Sequence, residues 1–189
     1  MITLPEMIMI GGNSRNSGKT TMACNIITNL AAGHTVIGLK VTSVRPGEEN
    51  KHGLHNEESL ADFTIFEELD SESGKDTSRM LRAGASKVFY IRVSENFIEE
   101  AVLHFLSKYI NKQIVVCESR SLRNIVVPGL FLMMIRTPAQ SEDKDVEYYL
   151  SKADRVFHFN NSIAVLSKFA DAIHFENGKY VTPAECGLY

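Results

Sequence analysis

The sequence has few cysteines, no excess of positive charge and no long apolar run, and each absence excludes a class of protein. The three cysteines, Cys24, Cys117 and Cys186, show no CxxC spacing. An odd, scattered set argues against a disulfide framework and suits a reducing cytoplasm, the expected location. Cys24 and Cys117 fall in apolar periodic segments and read as buried thiols. Twenty Lys and Arg against 23 Asp and Glu leave a net charge of −3, so no nucleic-acid partner is expected. No apolar stretch approaches the roughly 20 residues that cross a bilayer, so no membrane partner is expected. The N-terminus has no basic region ahead of an apolar one, and a signal peptide is not expected. None of the six histidines pairs with Ser or Cys in a nucleophile motif, which argues against a hydrolytic triad. Neither an internal repeat nor a low-complexity tract occurs.

What the sequence does contain fits one domain over residues 1–189. At 44% hydrophobic content a chain of this length can bury a sizeable core. Apolar runs alternate with helical periodicity. Strands are expected at Met7–Ile10, His34–Val41, Lys87–Val93, Gln113–Cys117, Gly129–Ile135 and Val156–Phe159. Helices are expected after residue 18, from about Glu95 to Ile110, at Asp143–Lys152 and at Ser162–Ala170. A small hairpin, Ala172–Phe175 with Lys179–Val181, would turn at Asn177-Gly178. This alternation predicts an α/β fold with a doubly wound, mostly parallel sheet, whose ligands sit at the carboxyl ends of the strands. Residues 43–60 break the pattern. They are polar, with Pro46, Gly47 and Gly53, and read as a mobile loop. The spacing of His52, His55, Glu57 and Glu58 matches no metal motif, and a solvated acidic loop is the expectation.

One segment names a chemistry. The apolar run Met7–Ile10 leads into Gly12-Asn13-Ser14-Arg15-Asn16-Ser17-Gly18-Lys19-Thr20-Thr21 and then into apolar residues at helical spacing. Strand, small-residue loop and helix are the architecture of a P-loop (Walker A), the nucleotide-binding P-loop NTPase fold. Its backbone N–H groups turn inward toward phosphate, which glycine permits. The helix start adds unsatisfied N–H groups and a positive dipole end. Lys19 would reach the β- and γ-phosphates of ATP or GTP, and Thr20 would offer its hydroxyl to Mg²⁺. The usual spacing places glycine where Asn13 stands, with Gly12 one residue earlier. The plain alternative is a chance Gly-Lys-Thr.

Three other places could carry chemistry. Glu118 ends the strand at Ile114–Cys117 and would hold Mg²⁺ together with Thr20; otherwise it merely ends a strand. Lys40 lies in an apolar strand, where an ammonium is costly unless it reaches an anion or water. It would face the γ-phosphate or an acceptor, or else be an edge lysine in solvent. Asn160 and Asn161 follow a late strand and could read a purine edge, or Asn161 or Ser162 could cap the next helix. The absence of an Asn-Lys-x-Asp motif leaves ATP or GTP open.

The form Gly, five residues, Gly-Lys-Thr resembles the phosphate loop of dethiobiotin synthetase and its relatives, the branch that also holds the molybdopterin-guanine dinucleotide biosynthesis adaptor protein. The segment Ser73-Gly74-Lys75-Asp76-Thr77-Ser78-Arg79 with Ala83-Gly84-Ala85, preceded by Asp62–Phe66, resembles that adaptor family. With the loop and Lys40 it covers roughly the first half of the chain. The resemblance implies that Asp76 and Arg79 lie beside the phosphates; the plain reading is a helix capped by Asp76 or Thr77. It also implies a lysine at the position of Lys40 and base contact near Asn160. Ser119, Arg120 and Ser121 depart from the glycines that follow Glu in dethiobiotin synthetase.

The expected function is Mg²⁺-dependent binding and hydrolysis of ATP or GTP, with Lys19, Lys40 and Glu118 in catalysis; the resemblance implies a place in molybdenum cofactor biosynthesis. The rivals are an ATP-dependent ligase or kinase of the dethiobiotin synthetase type and a non-catalytic, nucleotide-switched module. Expected partners are the nucleotide and either a protein or a small-molecule acceptor, with a homodimer left open.

Overall fold

A computed structural model describes residues 1–44, 62–137 and 145–183. Seven strands build one sheet: β1 (Ile2–Gly12), β2 (Val36–Val44), β3 (Phe63–Glu67), β4 (Lys87–Ser94), β5 (Ile114–Glu118), β6 (Val126–Arg136) and β7 (Arg155–Phe159). Their spatial order is β3-β4-β2-β5-β1-β6-β7, and every pair is parallel except β3 with β4. A separate hairpin of β8 (His174–Glu176) and β9 (Lys179–Val181) turns at Asn177 and Gly178, both at positive φ. The helices are α1 (Lys19–Leu30), α2 (Asp76–Arg82), α3 (Ile98–Tyr109), α4 (Val146–Leu150) and α5 (Ile163–Asp171).

The strand period of two explains the layers. Ile8, Ile10 and Val116 point to one face and pack with Met22, Ile26 and Ile27 of α1, Met80 of α2 and Leu166 of α5. Met7, Met9, Val115 and Cys117 point to the other and meet Val102 and Phe105 of α3 and Tyr149 of α4. Helices on both faces are compatible with the expected doubly wound sheet. Phe89, Phe105, Phe131 and Phe157 are fully buried, each contributing about 1.5–3 kcal/mol on burial.

Several expectations needed correction. β1 begins at Ile2 and β6 at Val126, because Ile2–Leu4 pair with Val126–Pro128 ahead of the buried run. Between these pairs and Ile8↔Leu130, the three residues Pro5–Met7 lie opposite Gly129 alone. A Cβ on Gly129 would stand 1.9 Å from the Pro5 carbonyl oxygen, so the backbones touch there. Residues 95–97 form a 3-10 turn before α3. Ser43 and Val44 belong to β2 rather than to a loop. The rest of the expected loop, including His52, His55, Glu57 and Glu58, lies outside the described residues, as does Cys186. Cys24 is partly exposed and Cys117 buried, both as free thiols. No described helix is long and apolar enough to cross a membrane.

Candidate functional site

The site follows from the register of three central strands. Glu118 closes β5, opposite Ile10 of β1 on one side and Lys40 of β2 on the other. By alternation from Val116 and Val36, both side chains stand on the α1 face. Two connections deliver the partners. The segment after β1 brings Thr20 over Glu118, and the start of α2 brings Asp76 over Lys40. Thr20 Oγ1 donates to Glu118 Oε2 at 2.7 Å. Lys40 Nζ pairs with Asp76 Oδ2 and lies 3.7 Å from Glu118 Oε1. Arg79 lies one turn along α2; it donates to Thr21 Oγ1 at 3.2 Å and sits 3.7 Å from Asp76 Oδ1.

The loop between β1 and α1 is shaped by backbone constraints. Gly18 precedes α1 with φ +87°, and no side chain caps the helix there. A side chain at Gly12 would place a Cβ 2.4 Å from Ser17 Oγ and 3.0 Å from Lys19 Cδ. Glycine at 12 therefore lets the loop close on itself. Lys19 Nζ folds across it, donating to the Ser14 carbonyl at 2.8 Å and to Ser17 Oγ at 3.2 Å. Asn13, standing where the usual spacing has glycine, is buried and ties the loop to β6. Its carboxamide donates to the Arg136 carbonyl and accepts from the Arg136 N–H, each at 3.0 Å. Arg136 also donates to the Asn16 carbonyl at 3.0 Å, with Asn16 at φ 58°. Arg136 and Asn13 were not legible as a pair, since their contact spans 123 residues of chain.

These elements enclose an open cleft of about 580 Å³. Arg15, Asn16, Ser17, Gly18, Lys19, Thr20, Thr21, Lys40, Asp76, Arg79 and Glu118 line it, so eleven expected residues come together. The twelfth, Phe159, was not expected; it ends an apolar strand and carries no signal beyond hydrophobicity. Gly12, Asn13 and Ser14 shape the loop without lining the cleft. Asn160 and Asn161 are exposed and do not line it either. Asn160 Oδ1 accepts from the Ser162 N–H at 3.0 Å, and Ser162, not Asn161, caps α5. Asp76 and Thr77 do not cap α2: Asp76 turns to Lys40, and Thr77 donates to Glu68 at 2.7 Å. Lys40 is no edge lysine, because β2 lies between β4 and β5.

Four cationic and two anionic side chains line the cleft, in a chain whose net charge is negative. The cleft is thus locally suited to an anion. Burial lowers the Lys19 pKa, and the nearby Glu118 charge only partly offsets it. Burial also works against the Lys40 ammonium, but Glu118 and then Asp76 outweigh it and raise its pKa. Burial acts against the Asp76 carboxylate too, yet its hydrogen bond to Lys40 holds the pKa below the usual range. Among the described residues no three His, Cys, Asp or Glu side chains gather as a metal site. Side-chain oxygens of Thr20, Glu118 and Asp76 are among those that line the cleft. Comparison with known proteins finds no matching family model, no matching curated protein and no matching solved structure.

Proposed function

We propose that the chain is a P-loop protein that binds ATP or GTP with Mg²⁺ and hydrolyses it, in the manner of the molybdopterin-guanine dinucleotide biosynthesis adaptor proteins of the cytoplasm. One observation carries this reading: Lys19 and Thr20 of α1, Lys40 of β2 and Glu118 of β5 converge on one cationic cleft at the carboxyl ends of β1, β2 and β5. The uncapped amides at the start of α1 and the Lys19 ammonium would take the phosphates. Lys40 is held charged by two carboxylates and would exchange them for a γ-phosphate oxygen, stabilising the charge that builds on the transferring group.

The donor set suits Mg²⁺. A hydroxyl and a carboxylate 2.7 Å apart offer two hard oxygens, and this ion is usually held by one or two protein oxygens plus phosphates and waters. Thr20 and Glu118 would hold it, and it would supply neutralisation of phosphate charge. The protein's own contribution is positioning: Asn13 fixes the loop, and Arg79 fixes Asp76 and Thr21.

Thermal shift with ATP, GTP and their Mg²⁺ complexes tests binding, because a ligand that binds the folded form raises the melting temperature by mass action. Phosphate release without an acceptor supports the NTPase. Strict dependence on an added acid would instead favour the dethiobiotin synthetase-type ligase. Tight binding with negligible turnover would favour a nucleotide-switched module.

A further inference from the structure

Among the described residues that line the cleft, Phe159 alone is neither polar nor glycine. It closes β7, two strands from β1. Its ring carbons lie 3.1–3.3 Å from the place a Cβ on Gly18 would occupy, so the ring flanks the start of α1. The ring is partly exposed and otherwise rests against the core on the α1 face. Beside it, Asn160 is engaged in its own turn with Ser162, and Asn161 is exposed at φ 68°. Neither lines the cleft.

A nucleoside triphosphate is a polyanion at one end and an aromatic plate at the other. Lys19, Lys40 and Arg79 supply charge for the first. Phe159 supplies the matching surface for the second, on the opposite side of the phosphate loop from Lys40 in the strand order. We propose that Phe159 is the platform on which the nucleobase stacks, so that the base is held by its face rather than read along its edge. This rests on the nucleotide reading above. Stacking on an aromatic ring tolerates any base, since every base has a π-face. Adenine and guanine nucleotides should therefore bind alike.

The test titrates ATP, GTP and inorganic tripolyphosphate, each with Mg²⁺, into the wild type, Phe159→Leu and Phe159→Tyr. Leucine keeps apolar bulk against Gly18 but removes the ring; tyrosine keeps the ring. Wild type should bind ATP and GTP within about threefold, since stacking discriminates weakly between bases. Phe159→Leu should lose about tenfold for both nucleotides, which is what losing one stacked base is worth. Its tripolyphosphate affinity should not change, and Phe159→Tyr should match wild type. Equal losses for tripolyphosphate and nucleotides in Phe159→Leu would mean that the ring only supports the loop, overturning the proposal. So would unchanged ATP affinity in that variant, or a strong preference of wild type for one purine. If neither nucleotide nor tripolyphosphate binds the wild type, the nucleotide reading itself fails, and this inference with it.

Discussion

The two ends of β1 and β5 carry two different hollows. At the carboxyl ends is the charged cleft built around Lys19, Lys40 and Glu118. At the amino ends is a smaller hollow of about 250 Å³, where Leu4 and Met7 meet Leu106, Ile110 and Val115, with Glu6, Lys112 and Gln113 around them. The same strands, packed by the same alternation of apolar residues, pass through both. Strand ends alone therefore do not make an anion site. What differs is the connection. After β1 comes a small-residue loop and an uncapped helix start, whereas β5 is entered through Asn111–Gln113 with apolar side chains turned into the hollow. The uncapped helix start and the surplus of cationic side chains belong to the first end.

The largest effect that could break this contrast is on Lys19. Lys19→Ala should weaken Mg²⁺–triphosphate binding about a hundredfold, as expected when a charged hydrogen bond of roughly 3 kcal/mol is lost. The ligand-free melting temperature should not fall. Burial depresses the Lys19 pKa, so its charge costs stability below the folded value, and that cost fades as pH rises toward the unfolded value near ~10.4. Calorimetric titration gives the affinity; equal values for mutant and wild type would end the distinction between the two hollows.

Next is Glu118→Gln, which removes the charge shared by Thr20 and Lys40. Turnover at saturating nucleotide should drop by about tenfold or more, consistent with loss of roughly 1.4 kcal/mol or more of transition-state stabilisation, while affinity changes less. A phosphate-release assay across Mg²⁺ concentrations reads this, and unchanged activity and Mg²⁺ dependence would make Glu118 structural.

Leu106→Ala sharpens the comparison from the other side. Its partly buried side chain should cost about 1–2 kcal/mol in denaturant unfolding. Triphosphate affinity should stay at the wild-type value, and a matching loss of affinity would show that the two ends communicate.

The smallest expected effect is on Asp76. Its depressed pKa means that its contribution is present above an unfolded value of about 3.9 and is lost as pH falls through the lower folded value. Lys40, raised, contributes below about 10.4 and loses that contribution as pH rises through its higher folded value. The stability difference between wild type and Asp76→Asn should therefore be flat between about pH 5 and 9 and shrink on the acid side. The side chains are 25% and 36% exposed, so solvent screening keeps it below about 1 kcal/mol. A difference that grew on acidification would contradict the pairing.

How much of this was legible depended on the range of the interaction. The run Met7–Ile10 and the loop to Thr20 could be read because strand period, glycine and helix start are local signals. Lys40 stood out because an ammonium amid apolar strand residues needs an anion; which anion required the β2–β5 register. The strand at β3 was implied by the resemblance over Asp62–Phe66, but its antiparallel direction left no mark in sequence, since pairing direction is set by the chain's route. Asn13 was counted with the phosphate-binding residues, yet it anchors the loop to Arg136, a contact made only by folding. Asn160 and Asn161 stand outside the lining of the cleft, and the turn that Asn160 closes with Ser162 is a local use of a polar side chain that sequence alone does not separate from contact with a base. Phe159 was missed for the converse reason: an aromatic at a strand end looks the same whether it faces core or cleft.

The crowding of Gly129 against Pro5 bears on how a mutational scan of this protein would read. Any side chain there must push two strands apart at the end remote from the cleft. In a survey of soluble expression, position 129 should tolerate substitution as poorly as positions 12 and 18. Ranked by tolerance alone, it would pass for part of the binding loop. Only a survey that scores folding and ligand retention separately would tell a packing glycine from a ligand-holding side chain, with 129 failing at the first step and Lys19 failing only at the second.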